Sequence, residues 1–315
     1  MYPKIISILC CLVSIMTLTS CVSYQQSYSN LPDSSHVYKF DHDHAADFTI
    51  IKNIIYSIAD WPETLAADLY LPKEPPPEAN NWPVVLMVHG GGWSGRDRTD
   101  MDSTSEKLAK KGYAVLNVSY RFAPQFIYPA QVQDLQLALL WLQNNATRYQ
   151  LDLSRINAWG YSSGSHLVAQ LASVKPGEAQ TLDLSPPLPK IRAVVAGGTP
   201  ADLSQYSNSP IVVPFLGVKR DENPQLYKEA SPITHISSDD PPVFLYHGKL
   251  DQLVEKEQSI NYYNALRKVG VPAELYLHPL WGHFAMFLFG WDAENKAIDF
   301  LNHYNYWKLD RPAME

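Results

Sequence analysis

Along most of the chain, short apolar runs alternate with longer segments in which apolar residues recur at helical spacing. The short runs predict strands, at 51–58, 67–71, 84–88, 114–118, 155–159, 193–196, 243–247 and 273–278. The longer segments predict helices, at 103–111, 130–149, 162–174, 255–269 and 292–306. This order predicts an α/β domain with a mostly parallel central sheet and helices on both of its faces.

The run VVLMV at 84–88 is apolar at every position. Period-two alternation is lost in this way when a strand is buried on both faces, so the run predicts a central strand. The stretch KEPPP at 73–77 predicts a surface loop, because proline fits no regular element there. With no internal repeat and no change of composition, residues 48–315 are expected to form one domain.

Residues 1–20 have the pattern of a targeting segment. Lys4 precedes an uncharged stretch at 5–18, which as a helix would span roughly 21 Å, short of a hydrocarbon core of about 30 Å. A charged start, a short apolar middle and small residues at the end predict a signal peptide. An ordinary signal peptide, a lipoprotein signal peptide and a buried N-terminal helix are all compatible with the composition.

The end of this segment, Leu18-Thr19-Ser20-Cys21, resembles the lipobox of bacterial lipoproteins. The resemblance implies cleavage before Cys21 and attachment of lipid to Cys21, so that the membrane is reached through this anchor only. Val22 follows the cysteine, which by the same resemblance implies anchoring in the outer membrane of the bacterial cell envelope, facing the periplasm.

Residues 21–47 are rich in Ser, Gln, Tyr and Asp, without apolar periodicity, and are expected to be a polar tether. Within them, Asp41-His42-Asp43-His44 has the residue types of a metal site. In a polar linker, a solvated charged segment is the favoured interpretation, and no metal is predicted.

Charge and cysteine content exclude several functions. The net charge of −7, from 25 basic and 32 acidic residues without a basic run, argues against binding of nucleic acid. The three cysteines, Cys10, Cys11 and Cys21, all lie near the start of the chain. The body therefore has no disulfide and no Cys/His zinc site.

The pattern G-x-S-x-G occurs once in a strand-to-helix context, as Gly160-Tyr161-Ser162-Ser163-Gly164. Between a strand and a helix, this pattern predicts a sharp turn that exposes the hydroxyl of Ser162 as a nucleophile. A Cβ at Gly160 or Gly164 would meet the neighbouring backbone. By chance alone the composition yields such a pattern about 0.06 times, so the placement carries most of the weight.

A second motif, His89-Gly90-Gly91-Gly92-Trp93, follows the apolar strand directly. Consecutive glycines let main-chain N–H groups converge on one ligand atom, as the stabilisation of an oxyanion requires. A plain flexible turn is the alternative. The carboxyl end of a buried strand is, however, where ligands bind in open α/β sheets.

A serine nucleophile needs a base, and the base needs an acid that orients it. His283 is the best-placed base, in a glycine-containing loop after the last predicted sheet strand, ahead of the remaining candidates His235, His247 and His278. Asp251 follows the strand at 243–247 and is expected at the same sheet edge as His283; Asp202 is its rival. The order Ser, Asp, His is that of α/β-hydrolases.

With these motifs, residues 50–306 resemble the α/β-hydrolase fold, in the esterase branch around the hormone-sensitive-lipase-like and feruloyl-esterase-like (BD-FAE-like) families. The resemblance implies that Ser162 is the nucleophile, Asp251 the acid and His283 the base. It also implies an oxyanion hole made by the N–H groups of Gly91, Gly92 and Ser163, and no cofactor. The lipase-like branch usually has Asp and Ala around the nucleophile, where this chain has Tyr161 and Ser163.

Two further expectations concern the residues around the site. His89 and His166 are expected to tie loops together beneath the turn, and Arg121 and Asp134 either form a buried pair there or are separately solvated. The segment 197–242 would carry at most a small lid, whose stretch IVVPFL at 211–216 is apolar enough to line an acyl pocket.

The expected reaction is hydrolysis of short-chain or exposed acyl esters, on small molecules or on acylated polymers. A formamidase or other amide hydrolase would use the same triad. A non-catalytic binding module would usually have lost a triad residue. The oligomeric state is left open by the sequence.

Overall fold

A nine-stranded sheet organises the residues that the computed structural model describes, namely 23–25, 47–73, 81–175, 177–178 and 180–306. Its strands are β1 (Ser23–Gln25), β2 (Phe48–Ile55), β3 (Ala66–Pro72), β4 (Trp82–Val88), β5 (Ala114–Val118), β6 (Leu151–Tyr161), β7 (Ile191–Gly197), β8 (Val243–Gly248) and β9 (Ala273–His278). The α-helices are α1 (Asp102–Lys110), α2 (Ala130–Tyr149), α3 (Ser163–Ser173), α4 (Val212–Leu216), α5 (Pro224–Glu229), α6 (Glu257–Lys268), α7 (His283–Phe289) and α8 (Trp291–Tyr306).

The strand order in the sheet is β1-β9-β8-β7-β6-β4-β5-β3-β2. Six neighbouring strands are mutually parallel, namely β9, β8, β7, β6, β4 and β5. At the two sides, β1 pairs antiparallel with β9, β3 with β5, and β2 with β3. The predicted mostly parallel sheet is therefore confirmed. Because the parallel strands all end at one edge, the loops that follow β4, β6 and β8 meet there; we call it the carboxyl edge.

Both faces of the sheet are covered, and strand β4 shows how. Val84, Leu86 and Val88 pack into one apolar cluster, together with residues of α2, α3 and α6. Val85 and Met87 point to the opposite cluster, which includes residues of α1 and α8. Since every residue of β4 is buried, alternation between apolar and polar residues has no physical basis in this strand.

The eight predicted strands are all present, with ends that differ by a few residues; β2, for example, runs three residues earlier than predicted. The five predicted helices are α1, α2, α3, α6 and α8. The prediction missed α4, α5 and α7, which are short, and β1. Residues Ser23–Gln25 were expected in the tether, yet they form an edge strand on β9. Their pairing uses main-chain groups, which leave no apolar pattern in the sequence.

The signal peptide, Cys21 and the tether residues 26–46, including Asp41-His42-Asp43-His44, lie outside the described residues. Within the described ranges, no helix combines the length and the apolar character needed to cross a bilayer.

Candidate active site

Ser162 occupies the sharp turn between β6 and α3. Its backbone has φ 54° and ψ −124°, a conformation that non-glycine residues rarely adopt. The turn is held by a hydrogen bond from the Ser162 N–H to the carbonyl of Gly197, at 2.7 Å. Strain of this kind is typical of a nucleophile turn, and it presents the Ser162 hydroxyl at the carboxyl edge.

The two glycines that flank this turn are required by close backbone approach. A Cβ on Gly160 would lie 2.4 Å from the carbonyl carbon and oxygen of Gly164. A Cβ on Gly164 would lie 2.3 Å from the carbonyl oxygen of Val88 and 2.4 Å from that of His89. The helix α3 therefore packs directly against the end of β4, which brings the serine and the glycine loop together.

His283 joins the other two predicted residues in one hydrogen-bonded chain. Its Nε2 lies 2.9 Å from the Oγ of Ser162, and its Nδ1 lies 2.6 Å from the Oδ2 of Asp251. A carboxylate can only accept, so Nδ1 carries the proton and Nε2 accepts from the serine hydroxyl. His283 was expected in a loop; it is instead the first residue of helix α7.

Two loops bring Asp251 to His283. The N–H of Leu250 donates to the carbonyl of Trp281 at 3.0 Å. A Cβ on Gly248 would lie only 2.2 Å from that same carbonyl oxygen. The glycine at the end of β8 thus permits a contact between the loops that a side chain would prevent.

Tyr161, the residue that departs from the lipase-like pattern, also fixes the histidine. Its hydroxyl donates to the carbonyl oxygen of His283 at 2.6 Å, and both groups are buried. The ring of Tyr161 lies 5.2 Å from the imidazole. The start of α7 is therefore attached to the residue before the nucleophile.

The carboxylate of Asp251 accepts more hydrogen bonds than the sequence indicated. Its Oδ1 accepts from the N–H groups of Leu253 and Val254, each at 2.9 Å. Its Oδ2 lies 3.1 Å from the Nε2 of His247 as well as close to His283. Burial alone would raise the pKa of Asp251, but the hydrogen bonds from His247 and His283 outweigh it and hold that pKa well below its usual range.

His247 also belongs to the candidate site, although sequence reasoning set it aside. It is fully buried, and its Nε2 also lies 2.8 Å from the carbonyl oxygen of Val254. Both neighbours of Nε2 are acceptors, so this nitrogen carries the proton, and Nδ1 accepts from the hydroxyl of Ser259 at 2.7 Å. The only sequence signal was its position at the end of β8, four residues before Asp251.

The rival candidates have other partners. Asp202 accepts from the N–H of Ser204 at 3.0 Å and caps a short 3-10 helix. The ring of His278 stacks on Trp281 at 3.7 Å. The Nε2 of His235 lies 2.7 Å from the carbonyl oxygen of Glu229. The geometry therefore favours Asp251 and His283 over these three.

The glycine loop lies beside the nucleophile. A Cβ on Gly90 would lie 3.2 Å from the Cβ of Ser162. Gly91 and Gly92 have φ values of 120° and 62°, which glycine adopts without strain. At Gly91 a Cβ would also lie 2.2 Å from the carbonyl oxygen of Gly95. This loop is therefore folded tightly against the turn that carries Ser162.

Beneath the loop, two buried histidines connect separate segments, as expected. The Nε2 of His166 donates to the carbonyl of Ala230 at 2.6 Å, and its Nδ1 accepts from the indole of Trp93 at 3.3 Å. Burial lowers the pKa of His166 to about 4. His89 stacks on Tyr120 with ring centroids 4.5 Å apart, and burial lowers its pKa too. Both rings are therefore neutral supports near pH 7.

Arg121 and Asp134 form the buried pair that was one of two expectations. The Nε of Arg121 lies 2.8 Å from an oxygen of Asp134, and both side chains are almost inaccessible. Asp134 also accepts from the indole of Trp61 and from the main chain of Arg121. The pair ties helix α2 to the segment after β5.

The apolar stretch at 211–216 divides between the core and the site. Val212, Phe215 and Leu216 are buried, and Phe215 stacks on Trp93 at 4.3 Å. Ile211 is 36% exposed. Its Cγ2 would lie 2.9 Å from a Cβ on Gly92. Residues 212–216 of the stretch form helix α4, and Ile211 is its N-cap, which lies over the glycine loop. That the stretch lines an acyl pocket stays a prediction.

Comparison with known proteins assigns the chain to a family. The sequence profile of the BD-FAE family matches residues 67–266, a range that includes the glycine loop, Ser162 and Asp251. The chain belongs to the BD-FAE family. His283 lies beyond the matched range, so its assignment depends on the geometry described above.

BD-FAE membership agrees with the individual relatives. The chain is 31% identical over 206 residues to the probable carboxylic ester hydrolase LipM, and 30% identical over 205 residues to the esterase LipQ, both of Mycobacterium tuberculosis. Each match covers 62% of this chain and 47% or 48% of the relative. The chain thus matches about half the length of these curated relatives.

Solved structures confirm the fold. A truncated carbohydrate esterase from gut microbiota superimposes with a TM-score of 0.70 at 27% identity, over 83% of this chain and 98% of that one. A thermophilic esterase of the Planctomycetes species Thermogutta terrifontis has a TM-score of 0.67 at 21% identity, over 87% of this chain and 98% of that one. The predicted α/β-hydrolase fold is therefore correct for this BD-FAE chain.

Proposed function

We propose that the protein is a serine carboxylesterase in which Ser162 is the nucleophile, His283 the general base and Asp251 the orienting acid. The observation that carries this proposal is the position of His283, hydrogen-bonded to Ser162 on one side and to Asp251 on the other. The names of LipM, LipQ and the carbohydrate esterase support it.

In the proposed reaction, the oxygen of Ser162 attacks the ester carbonyl while its proton passes to the Nε2 of His283. The tetrahedral intermediate collapses, and the alcohol leaves with that proton. Water then gives a proton to His283 as its oxygen attacks the acyl-enzyme, and the acid is released with Ser162 restored. Asp251 stays ionised because its pKa is held low, and it stabilises the imidazolium formed in both steps.

We assign the developing oxyanion to the N–H groups of Gly91, Gly92 and Ser163. Gly91 and Gly92 have positive φ values, so their peptide groups do not keep the orientation that a continuation of strand β4 would give them. Ser163 is the first residue of α3, so its N–H has no partner within that helix. Amides placed before the reaction stabilise charge in the transition state without reorganising.

We propose short or exposed acyl groups as the substrates, on small molecules or on acylated polymers. Ile211 lies over the glycine loop, where its Cγ2 would be 2.9 Å from a Cβ on Gly92, and we propose that it limits the room for a long acyl chain. The similarity to a carbohydrate esterase of gut microbiota is consistent with an acylated saccharide.

The replacement Ser162→Ala tests the assignment with p-nitrophenyl acetate. Turnover is expected to fall on the order of 10⁴-fold or more, with unchanged thermal unfolding. Retention of most hydrolysis by the alanine variant would refute the assignment. Comparison of acetyl, butyryl and feruloyl esters with an N-formyl amide separates an esterase from a formamidase, since both would depend on Ser162.

We also propose that Cys21 carries a lipid anchor that holds the protein in the bacterial cell envelope, at the periplasmic side of the outer membrane. The support is the lipobox-like sequence Leu18-Thr19-Ser20-Cys21. Several acyl chains on one residue hold a protein far more firmly than one chain does. Mass spectrometry of the mature N-terminus tests this, and an uncleaved, unmodified chain would refute it.

A further inference from the structure

The segment 280–291 exposes an unusual amount of apolar surface. Its exposed side chains, which we call the apolar patch, are between 50% and 65% accessible; they are Leu280, Phe284, Leu288, Phe289 and Trp291. Single exposed apolar residues are ordinary, but several large ones in one segment mark a surface that binds something. The segment includes His283, so the patch borders the candidate active site.

Helical spacing and ring contacts relate several side chains of the apolar patch to each other. Phe284 and Leu288 are four residues apart in α7 and therefore share one face of that helix. The ring of Phe289 lies 6.4 Å from Trp281 and 6.3 Å from Trp291. Phe284 in turn lies 5.7 Å from the ring of His283. Through Phe284, the patch therefore reaches the imidazole of the candidate active site.

Strand β1 brings the N-terminal part of the chain to the same surface. It pairs antiparallel with β9, and its first residue, Ser23, lies opposite Leu277 near the carboxyl end of β9. The ammonium group of Lys249 donates to the hydroxyl of Ser23 at 2.7 Å. Lys249 is two residues from Asp251 in sequence, so β1 begins at the carboxyl edge, next to the loop that carries the acid.

Cys21 precedes Ser23 by two residues, and two residues span at most about 7 Å even when fully extended. A lipid on Cys21 would therefore be attached at the carboxyl edge, on the side of β9. The apolar patch begins two residues after β9 ends at His278. The anchor proposed from the sequence and the patch observed in the fold thus lie at the same edge of the sheet.

We infer that the apolar patch docks on a phospholipid bilayer, so that the carboxyl edge and the active site face the membrane that holds the anchor. Tryptophan, phenylalanine and leucine are the side chains with which proteins bound at a membrane surface enter the boundary between headgroups and acyl chains. Tethering at Cys21 raises the local concentration of lipid at the patch, so weak contacts suffice. The inference rests on the proposed lipid anchor and not on the proposed ester chemistry.

The test uses the full chain, produced in a bacterium that processes lipoproteins and reconstituted into vesicles of phosphatidylethanolamine and phosphatidylglycerol. Lipids with brominated acyl chains quench tryptophan that enters the bilayer. We expect these lipids to quench the protein, and Trp291→Phe to lose most of that quenching. Trp141→Phe, a matched change at a partly buried tryptophan of helix α2, which covers one face of the sheet, should keep it.

An aqueous quencher gives the complementary result without any substitution. The reference is the Cys21→Ser variant in detergent-free solution. Iodide should quench the tryptophan fluorescence of the vesicle-bound protein less than that of this reference. Equal quenching by iodide in both states, or equal quenching by brominated lipid in wild type and Trp291→Phe, would overturn the inference. An unmodified Cys21 together with no binding to vesicles would overturn it as well.

Two other occupants of the patch would be recognised in the same experiment. A second copy of the chain, or the chain's own segment 26–46, would shield Trp291 from iodide without brominated lipid having any effect, and either result would refute membrane docking. The Ser162→Ala variant should behave as wild type in all quenching measurements. Failure of the esterase proposal would instead appear as absence of ester hydrolysis, which quenching does not require.

Discussion

The Nε2 of His247 lies 3.1 Å from the Oδ2 of Asp251, in an environment where neither side chain reaches solvent. The same carboxylate oxygen is 2.6 Å from His283. Asp251 is therefore held by two histidines, of which only His283 contacts the serine. We therefore propose that His247 is a positioning residue, which would act on the reaction through Asp251.

Replacement of His247 by leucine should reduce kcat and leave KM nearly unchanged. The change removes one charge-assisted hydrogen bond, of about 1.5–3 kcal/mol, from a carboxylate that must orient His283. If part of that energy is lost in the transition state, kcat should fall on the order of 10-fold. Replacement of the acid itself, as in Asp251→Asn, should lower kcat by about 10⁴-fold. Steady-state kinetics with p-nitrophenyl acetate measure both.

The conservative variant His247→Gln separates positioning from simple loss of packing. Its amide N–H can replace the imidazole donor toward Asp251, so most of kcat should return. A purely structural role would make both variants lose stability with no difference in kcat between them. Equal kcat in wild type and the leucine variant would contradict the role we assign to His247.

Local motifs were the predictable part of the site. Ser162 follows from a strand, a glycine-flanked turn and a helix that are contiguous in sequence, and the structure has this arrangement. Asp251 and His283 were predicted because each follows a strand that ends at the same sheet edge. Placing these two residues near each other required only the strand topology, because the carboxyl ends of parallel strands lie at one edge of the sheet.

The part that could not be predicted depends on contacts without a sequence pattern. His247 looks like the last residue of an apolar strand, and its role arises because the loop at 249–254 folds back over its ring. Strand β1 is polar and joins the sheet through main-chain groups. Helix α7 is apolar on both its buried and its exposed faces, so helical periodicity is absent.

Gly164→Ala should destabilise the protein, although alanine is favoured over glycine inside a helix by about 1 kcal/mol. The new Cβ would lie 2.3 Å from the carbonyl oxygen of Val88, and such overpacking costs about 1–3 kcal/mol. Relief requires α3 to move away from the glycine loop, so ester hydrolysis should fall too. Chemical denaturation and kinetics measure the two effects.

Gly95→Ala is the control for this change. A Cβ on Gly95 has nothing within 4 Å, so stability and activity should stay near wild type. If Gly164→Ala were as stable as Gly95→Ala, the close packing of α3 on the end of β4 would not be what requires glycine in the turn.

Burial of His166 should make stability depend on pH in the acid range. Its pKa is lowered by burial to about 4, whereas in the unfolded chain it is about 6.5. As pH falls below about 6.5, the unfolded state binds a proton that the folded state binds only near pH 4. The stability present above pH 6.5 is therefore lost as the pH falls through this window, by about 3 kcal/mol in total.

The variant His166→Gln isolates this contribution. It should be less stable than wild type at about pH 7.5, where the imidazole links Trp93 to Ala230. The difference in free energy of unfolding should shrink by about 2–3 kcal/mol at about pH 4.5, because only wild type gains an unfolded-state proton. A difference that stays constant with pH would show that His166 titrates normally in the folded protein.

Ile211 should set the length of the acyl chain that the site accepts. Its side chain lies over Gly92 at the proposed oxyanion site and is partly exposed, so it can be replaced without opening the core. In Ile211→Ala, the octanoyl chain of p-nitrophenyl octanoate can occupy the space that the isoleucine side chain leaves. The kcat/KM for the octanoate, relative to that for the acetate, should therefore rise about 10-fold, as expected for added apolar contact between substrate and pocket. Ile211→Trp should shift the ratio the other way. Ile127→Ala is the control, because Ile127 is an exposed isoleucine that packs on Gly217. This control should leave the ratio of octanoate to acetate unaltered. If both alanine variants changed the ratio equally, chain length would be selected elsewhere.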